Sequence, residues 1–245
     1  MPEPLVLYVV PASHPCVAVE AVLRHKGLPY ERRDIMFGLS NPLQLRRFGS
    51  RTVPGLTVGR QRVSGSRLIM RALEGLQPEP PIVPSDPALR GRVDEADEWG
   101  DLVLQEQVRW IGLQAVRARP DAFATFFEGY DLERPPAALV RRFGPALILA
   151  EMKALGHTPE RVRGEYLPAL PGHLDRIDAL IADGVIGAAD PNVADFQIAA
   201  SVRLLLNFAD LREGIEGRPC GELALRLVPD YPGAMPTGAL PSPLR

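Results

Sequence analysis

The sequence has few of the residues that would indicate a disulfide framework, a metal centre or a nucleic-acid partner. Its 245 residues include only two cysteines, Cys16 and Cys220, which is too few for a disulfide framework and fits a reducing compartment. The four histidines lack the spacing of metal ligands, so we predict no metal. The net charge of -2 and the pI near 6.1 predict no nucleic-acid partner and no anionic membrane surface.

Long apolar runs are also missing. No uninterrupted apolar stretch reaches the roughly 18 residues that indicate a membrane-spanning helix. The N-terminus, Met1-Pro2-Glu3-Pro4, has no basic segment ahead of an apolar core and so does not resemble a secretory signal. With 46% hydrophobic and 24% charged residues, the composition is typical of a soluble globular protein, which we expect in the cytoplasm.

Proline, in contrast, is abundant, and its 26 residues should mark the boundaries of helices and strands. Leu5 to Val10 is a continuous apolar, β-prone run, which predicts a strand buried on both faces. Pro11 ends this strand. Ser13 and Pro15 then predict the cap and the first turn of a helix that continues to Gly27.

The segment that follows predicts three more strands and two more helices. Tyr30 to Ile35 can form a strand parallel to the first, because a helix joins the two. Asn41 to Phe48 predicts a helix, Leu56 to Val63 predicts a hairpin, and Ser66 is expected to cap the next helix. The order βαβ-α-ββα predicts a thioredoxin-like α+β domain with a mixed four-stranded sheet over residues 1–76.

The rest of the sequence predicts helices only. Residues 77–87 contain five prolines and no apolar periodicity, which indicates a linker. Residues 88–245 predict an all-α C-terminal domain with an irregular tail from Pro229. The helices predicted in this domain span 88–117, 136–155, 159–183, 192–211 and 218–228.

The segment Arg51-Thr52-Val53-Pro54-Gly55-Leu56 holds a position that matters in a thioredoxin-like domain. In that fold a cis X-Pro peptide before the third strand exposes the backbone N–H and C=O of one residue. A cysteinyl peptide can pair with these groups like an additional strand. The alternative is an ordinary trans proline at a strand entrance, because only about 5–6% of X-Pro bonds in folded proteins are cis.

Five short motifs together carry a resemblance to a known family. They are Ser13-His14-Pro15-Cys16-Val17-Ala18-Val19, Leu28-Pro29-Tyr30-Glu31, Arg51-Thr52-Val53-Pro54-Gly55-Leu56, Gly65-Ser66-Arg67 and Asn192-Val193-Ala194-Asp195. In this order they resemble the cytosolic glutathione transferases. The first motif is similar to the Ser-x-Pro-Cys-Arg-(Ala/Ser)-Val run of the delta and theta classes, the third to their cis-proline block and the fifth to the capping box of a core helix.

Ser13 is the catalytic residue that this resemblance implies. It would donate a hydrogen bond to the thiolate of glutathione, the expected co-substrate, which then attacks a small electrophile. A thiol with a pKa of about 8.5 is only slightly ionised at neutral pH, and a shift of roughly two units, about 2.7 kcal/mol, ionises most of it. A charged hydrogen bond contributes about 1.5–3 kcal/mol and the helix dipole about 0.3–1 kcal/mol. The alternative is that the Ser13 oxygen only caps the helix.

The resemblance implies five glutathione-binding residues as well. Val53, before Pro54, would pair with the cysteinyl backbone. Ser66 and its backbone N–H would bind the γ-glutamyl carboxylate at a helix N-terminus. Arg51 would bind the glycine carboxylate and Arg67 would support the γ-glutamyl end, unless these two arginines simply face the solvent.

Gly65 is a departure from the family pattern, which has Glu or Asp at this place to bind the γ-glutamyl ammonium group. Without that carboxylate, affinity for glutathione should fall, unless Asp94, Glu98 or Asp101 replaces it across the two-fold axis of a homodimer, the expected assembly. The other outcomes are use of a different low-molecular-weight thiol, or a non-catalytic binding protein of the same fold.

Cys16 leaves a third function open, that of a thiol-disulfide or peroxide reductase. A cysteine in the first turn of a helix can have a lowered pKa. In the family, however, a cysteine at this place is usually buried against the sheet, and Ser13 occupies the position of the partner cysteine in a Cys-x-x-Cys pair.

The electrophile site is expected between the two domains, lined by the first C-terminal helix and the segment after it. The aromatic candidates for its lining are Trp110, Phe123, Phe126 and Phe127. Aromatic residues at helical spacing also commonly belong to a core. Arg109, Arg117 and Arg119 could bind an acidic substrate or face the solvent. A role in detoxification follows from the resemblance alone.

Overall fold

A four-stranded mixed sheet forms the N-terminal part of the chain. The structure, a computed structural model, describes residues 4–35, 40–128 and 137–241. Its strands are β1 (Leu5–Val9), β2 (Glu31–Asp34), β3 (Gly55–Val58) and β4 (Gln61–Ser64), in the spatial order β2-β1-β3-β4. β1 is parallel to β2 and antiparallel to β3, which is antiparallel to β4.

Three helices complete this domain. They are α1 (His14–His25), α2 (Ser40–Phe48) and α3 (Ser66–Leu76). α1 is buried along most of its length, and α3 buries Ile69, Met70 and Leu73 because these residues share one face of the helix. The element order and the mixed sheet confirm the predicted thioredoxin-like domain.

The prediction that Ser66 caps α3 is wrong by one position. Gly65 occupies the N-cap and Ser66 is the first helical residue. Gly65 has a φ of 90°, in the left-handed region that glycine adopts without the steric cost of a side chain. The Ser66 hydroxyl is therefore not used as a cap.

The C-terminal part is helical. Its helices are α4 (Pro87–Trp99), α5 (Gln105–Ala118), α6 (Ala137–Ala154), α7 (Pro159–Arg161), α8 (Leu167–Ala182), α9 (Val193–Leu205), α10 (Ala209–Glu216) and α11 (Pro219–Leu227). π-Helical turns at Gly100–Leu104 and Val162–Tyr166 join α4 to α5 and α7 to α8, and a 3-10 helical segment at Pro120–Phe127 follows α5. This confirms the predicted helical domain. None of the helices in the described ranges is long and apolar enough to span a membrane.

Several of the predicted C-terminal helices differ from the observed ones; the helix predicted over 88–117, for example, contains the π-helical turn at Gly100–Leu104. The helix predicted over 159–183 is divided by a π-helical turn, and the first residue of the one predicted over 136–155 lies outside the described residues. The helix predicted over 192–211 ends at Leu205. It ends there because the tail replaces the helical hydrogen bonds: the N–H of Met235 donates to the carbonyl of Asn207, at 2.8 Å.

Helix packing joins the two domains, and buried polar contacts fix the linker to the first domain. α9 packs against α1 and α3 of the first domain, and the His25 ring lies 5.4 Å from that of Phe196. The Lys26 ammonium, fully buried, donates to Glu74 Oε2 at 2.7 Å and to the carbonyls of Gln77 and Pro80 at 2.6 and 2.8 Å. A buried cation is tolerated only with such partners, so α1, α3 and the linker are held in one arrangement.

Candidate functional site

A cavity of about 580 Å³ lies between the two domains, at the predicted location of the electrophile site. The first domain contributes residues 10–14 and 51–53 to its lining. The second contributes one side of α5, the 3-10 helical segment and the end of α6, together with Leu204 and Phe208. The loop before α1 and the segment before β3 therefore face a mainly apolar wall.

Ser13 stands at the N-cap of α1 and lines this cavity. Its backbone carbonyl accepts from the N–H groups of Cys16 and Val17, at 2.8 and 3.0 Å, but its side chain makes no capping hydrogen bond. The Ser13 side chain acts on the nearby Cys16 thiol, whose pKa it lowers. The oxygen that could have capped the helix is therefore not used as a cap.

Cys16 is a buried thiol, with only 1% of its surface exposed. Burial raises its pKa to about 12, although the hydrogen bond with Ser13 acts in the opposite direction. The group therefore keeps its proton at neutral pH. A hydroxyl has one donor and two acceptor positions, so an interaction with Cys16 leaves Ser13 with hydrogen-bonding capacity for a ligand.

Both neighbours of Ser13 are held by the C-terminal domain. His14 Nε2 lies 3.1 Å from the carbonyl oxygen of Gln105, and burial, together with the charge of Arg109, lowers the pKa of His14 to about 3. Ala12 has a φ of 57°, which is uncommon for a residue with a Cβ, and its carbonyl accepts from the Tyr231 hydroxyl at 2.6 Å. These contacts fix the start of α1 from two sides.

The segment before β3 presents an unpaired backbone edge to the cavity. The Val53-Pro54 peptide is cis, as in the cis-proline block that the motif resembles. The carbonyl of Pro54 accepts from the N–H of Gly65 at 3.0 Å, which joins this segment to the start of α3. Across the described residues, neither the N–H nor the C=O of Val53 has a hydrogen-bond partner. Val53 and the exposed Arg51 both line the cavity.

Pro54, Ser66 and Arg67 do not line the cavity. Ser66 is only 2% exposed, and its hydroxyl has no hydrogen-bond partner. The guanidinium of Arg67 is used between the domains: its Nε donates to Asp97 Oδ2 at 3.0 Å, and one of its terminal nitrogens lies 3.5 Å from Glu98 Oε2. The structure thus brings Ser13, Arg51 and Val53 together, with Ser66 one residue beyond Gly65.

The three acids considered as replacements for a carboxylate at position 65 are engaged within the chain. Asp94 pairs with Arg71, and Glu98 with Arg67. Asp101 accepts from the side chains of Gln105 and Gln197, at 2.7 and 3.2 Å. At Gly65 itself, an added Cβ would meet nothing within 4 Å, so the position has room for a side chain although its φ disfavours one.

Asp97 is a charged residue that the sequence analysis missed. It is fully buried, and it accepts from Arg67 at 3.0 Å and from Arg71 at 3.1 Å. Burial raises its pKa in spite of the two arginines, and its Oδ1 has no hydrogen-bond partner. Its spacing was the available signal, because it stands four residues after Val93 and so belongs to the buried face of α4.

The predicted aromatic residues form one wall of the cavity and part of the core. Trp110 and Phe126 are 2% and 6% exposed, and Phe123 and Phe127 are partly buried in an edge-to-face pair with ring centres 4.8 Å apart. All four line the cavity. The backbone of Gly233 in the tail packs on Phe126, because an added Cβ there would lie 2.3 Å from the ring.

The three arginines considered for an acidic substrate have different surroundings. Arg109 lines the cavity. Arg117 donates from Nε to Gln114 Oε1 at 3.1 Å, and Arg119 donates to the carbonyl of Thr237 at 2.9 Å. Neither Arg117 nor Arg119 lines the cavity. In the described part of the chain, no cluster of three His, Cys, Asp or Glu side chains is arranged to hold a metal ion.

Known proteins resemble this chain in its first domain and in its whole fold. Residues 7–81 match the model of the glutathione S-transferase N-terminal domain. A glutathione S-transferase from Rhodospirillum rubrum shares 18% identity at a TM-score of 0.58, covering 91% of this chain and 87% of that chain. A maleylacetoacetate isomerase from Anaeromyxobacter dehalogenans shares 20% identity at a TM-score of 0.58, covering 91% and 85%. No curated protein sequence matches.

A third solved structure, the beta-etherase LigF from Sphingobium sp. strain SYK-6, shares 20% identity at a TM-score of 0.57, covering 82% of this chain and 84% of that chain. At these identities the likenesses establish the fold.

A thioredoxin-like domain followed by a helical domain, with the start of α1 open to a cavity between them, defines the class of the protein. Residues 7–81 match the glutathione S-transferase N-terminal domain, and the chain as a whole has the fold of the solved glutathione S-transferases. The resemblance is thereby confirmed, while the likeness to the delta and theta classes stays a prediction.

Proposed function

We propose that the protein is a glutathione-dependent transferase, in which Ser13 stabilises the thiolate of glutathione for attack on a small electrophile in the interdomain cavity. The observation that carries this proposal is the Ser13 hydroxyl, which stands at a helix N-terminus, makes no capping bond and lines the cavity beside Val53 and Arg51. The glutathione transferase fold supports it.

The start of α1 can stabilise a thiolate in two ways. A hydroxyl that donates to the charged sulfur contributes about 1.5–3 kcal/mol, and the positive end of the helix adds about 0.3–1 kcal/mol. Together these reach the roughly 2.7 kcal/mol that lowers a thiol pKa by two units. The thiol proton passes to the solvent, so Ser13 need not act as a base. His14, whose pKa is about 3, is neutral and adds no charge of its own.

The reaction then joins sulfur to carbon. The thiolate forms a C–S bond with the electrophilic carbon, and a leaving group departs with the bonding electron pair. In an addition to an activated double bond, the adjacent carbon instead takes a proton from water. In either case Ser13 releases its hydrogen bond as the sulfur loses its negative charge.

Glutathione would lie along the edge of the first domain. Its cysteinyl backbone pairs with Val53, whose N–H and C=O have no other partner among the described residues. Its glycine carboxylate meets Arg51, and its γ-glutamyl carboxylate meets Ser66, whose hydroxyl is buried without a partner at the start of α3. Arg67 takes part only indirectly in this proposal, because Asp97 and Glu98 already hold its guanidinium.

Calorimetric titration with glutathione tests the proposal, with S-hexylglutathione as a second ligand that also fills the apolar cavity. We expect binding in the micromolar to low millimolar range, tighter for the hexyl derivative. Gly65→Glu restores the acid of the family at a position with space for it and should tighten glutathione binding, although the backbone there, at φ 90° and ψ 136°, is unfavourable for a side chain. Gly65→Gln is the matched control, because it has the same size and no charge. Absence of heat with both ligands at several temperatures would contradict glutathione binding.

Gly65 favours one alternative, a non-catalytic or altered-thiol binding protein of the same fold. The side chain that would bind the γ-glutamyl ammonium group is missing here, and the nearby acids of α4 pair with arginines. Ligand binding without conjugation of any electrophile would favour this alternative. The predicted homodimer and cytoplasmic location remain proposals, and sedimentation of the purified protein tests the first.

The Cys16-dependent reductase is the less favoured alternative. A thiol with 1% exposure and a pKa of about 12 offers almost no thiolate at neutral pH. Disulfide reduction that is lost in Cys16→Ser would revive it.

A further inference from the structure

We propose that the electrophile site selects substrates that carry an anionic group, such as a carboxylate, on a flat apolar body, and that Arg109 binds this anion. The inference rests on the proposed function, since it names the substrate class of the same cavity. Arg109 is its specificity-determining residue. The argument depends on the hydrogen bonds of Arg109, on what occupies the other cations and on the shape of the wall.

Arg109 lies on α5 and lines the cavity with about a third of its side chain exposed. Its one ion pair joins Nη1 to Glu106 Oε2 at 3.2 Å, one turn earlier on the same helix. No other partner of its guanidinium is found among the described residues. Because a guanidinium presents five N–H donors in a rigid fork, the remaining donors can bind a carboxylate in a bidentate manner.

Glu106 orients Arg109 and leaves its remaining N–H donors available for an anion. Its other oxygen, Oε1, accepts from Trp110 Nε1 at 2.7 Å and lies 3.1 Å from His157 Nε2. The Trp110 and His157 rings are stacked, with centres 4.4 Å apart and planes at 10°. Glu106 itself does not line the cavity. The same carboxylate therefore orients a cation and an aromatic wall side by side, a pairing that suits a flat anionic ligand.

Among the described residues, the other positive groups near the cavity are already assigned. Arg51 lines it too, but in the proposed function it binds the glycine carboxylate of glutathione. Arg117 and Arg119 bond to Gln114 and to a tail carbonyl outside the cavity. His14 is neutral. Its contact with the carbonyl of Gln105, one turn before Arg109 on α5, places Arg109 near the start of α1. Arg109 is thus the cation left for the second substrate.

The rest of the lining restricts the ligand further. Phe123 and Phe127, which line the cavity and are only partly buried, present aromatic surfaces suited to a ring or a conjugated chain. Glu151 also lines the cavity and would repel a second negative charge. The chemistry therefore favours an electrophile with one acidic group and one aromatic or conjugated body.

A pair of probes with nearly the same shape and different charge tests this inference. 4-Chloro-3-nitrobenzoate and 4-chloro-3-nitrobenzamide are titrated into the whole protein by calorimetry, without glutathione, so that the result does not depend on thiol chemistry. We expect the wild type to bind the benzoate about tenfold more tightly than the benzamide. Arg109→Gln should abolish this preference and retain the benzamide affinity, which shows that the cavity is intact. Arg109→Lys should keep part of the preference.

Arg117→Gln is the matched control, because it removes the same charge from the same helix outside the cavity and should leave the preference unchanged. Equal binding of the two probes by the wild type, an equal effect of Arg109→Gln and Arg117→Gln, or no binding of either probe would overturn the inference. Failure of the proposed function gives a different result: glutathione would not bind, while the benzoate preference and its dependence on Arg109 would remain.

Discussion

Two helices that pack against each other, α1 and α9, begin in different ways. At α9, Asn192 accepts hydrogen bonds from the N–H groups of Ala194 and Asp195, and Asp195 accepts from the N–H of Asn192 in return. At α1, Ser13 occupies the same position, but its hydroxyl caps nothing and faces a cavity. Both residues are good N-caps by type, so the residue alone does not determine the use of its side chain.

The start of α9 uses its N-cap side chain for stability, whereas the start of α1 leaves its N-cap hydroxyl without a capping bond. A side-chain cap contributes typically about 1 kcal/mol, which α9 uses and α1 forgoes. In return, α1 keeps a hydroxyl and its positive end for an anion. The comparison therefore predicts that damage at the start of α9 affects stability, whereas damage at the start of α1 affects activity.

The largest effect is expected at α9. Asp195 is fully buried and accepts from the N–H groups of Gly187 and Asn192, at 2.6 and 2.8 Å. Asp195→Ala leaves these donors without partners, so the free energy of unfolding should fall by about 2–4 kcal/mol in urea titrations. Activity per folded molecule should not change. A loss below about 0.5 kcal/mol would contradict the structural role.

Asp195 also predicts a pH dependence of stability. Burial raises its pKa to about 6, above the unfolded value of 3.8, so between these values the folded state binds the extra proton. This contribution to stability is present at pH 4 and is lost as the pH rises through 6, by about 2 kcal/mol. Asp195→Asn should lack this slope when unfolding is followed from pH 4 to 7. The same slope in both proteins would contradict the assignment.

At α1 the expected effect is on rate. Ser13→Ala should lower kcat/KM for conjugation about 10- to 100-fold at neutral pH, because a charged hydrogen bond contributes about 1.5–3 kcal/mol. The pH profile should shift to higher pH as the pKa of the bound thiol rises. The free energy of unfolding should change by less than about 0.5 kcal/mol, and Ser13→Thr should retain much of the rate. A stability loss typical of a cap, without a change in rate, would break the comparison.

A smaller effect is expected from the contact that holds the start of α1. Tyr231→Phe removes the hydrogen bond to Ala12, whose φ of 57° is unfavourable for alanine. We expect a two- to fivefold loss of kcat/KM. This corresponds to a loss of about 0.5–1 kcal/mol of transition-state stabilisation, because Ser13 is held less accurately. Ala12→Gly, which adopts this φ freely, should restore much of the rate when combined with it. Restoration of stability without restoration of rate would show that the contact does not position Ser13.

The last prediction is that the two cysteine thiols do not react in the native protein. Cys16 and Cys220 are both buried, and burial raises the pKa of each to about 12. The native protein should therefore not react with a thiol reagent at pH 8, and both thiols should react after denaturation. Rapid modification of Cys16 in the native protein would contradict its burial and would reopen the reductase function.

Local patterns predicted much of this fold, because β1, α1 and the hairpin from Gly55 to Ser64 depend on neighbouring residues. The capping box from Asn192 to Asp195 was equally clear. The end of α9 was missed because it depends on Asn207, which bonds to a tail more than twenty residues away. The start of α3 was misplaced because glycine and serine both suit an N-cap.

The candidate site divides in the same way. Ser13, Val53 and Arg51, which the resemblance assigned to the site from short motifs, all line the cavity, while their roles stay predictions. The contacts that complete the site were not predictable, because Tyr231 meets Ala12 across 219 positions and His14 meets Gln105 across 91. The resemblance assigned Arg67 to a ligand, but the structure pairs it with Asp97, whose burial depends on the packing of α4 on α9.

The buried carboxylate of Asp97 also limits how the two domains can be exchanged between relatives. Its partners, Arg67 and Arg71, lie on α3, on the other side of the linker. A chimera that took its first domain from one relative and its helical domain from another would bring an acid without its arginines, or arginines without their acid. Leaving a buried charge unpaired costs several kcal/mol. Recombination at the linker therefore preserves folding only when the two arginines and the acid are inherited together.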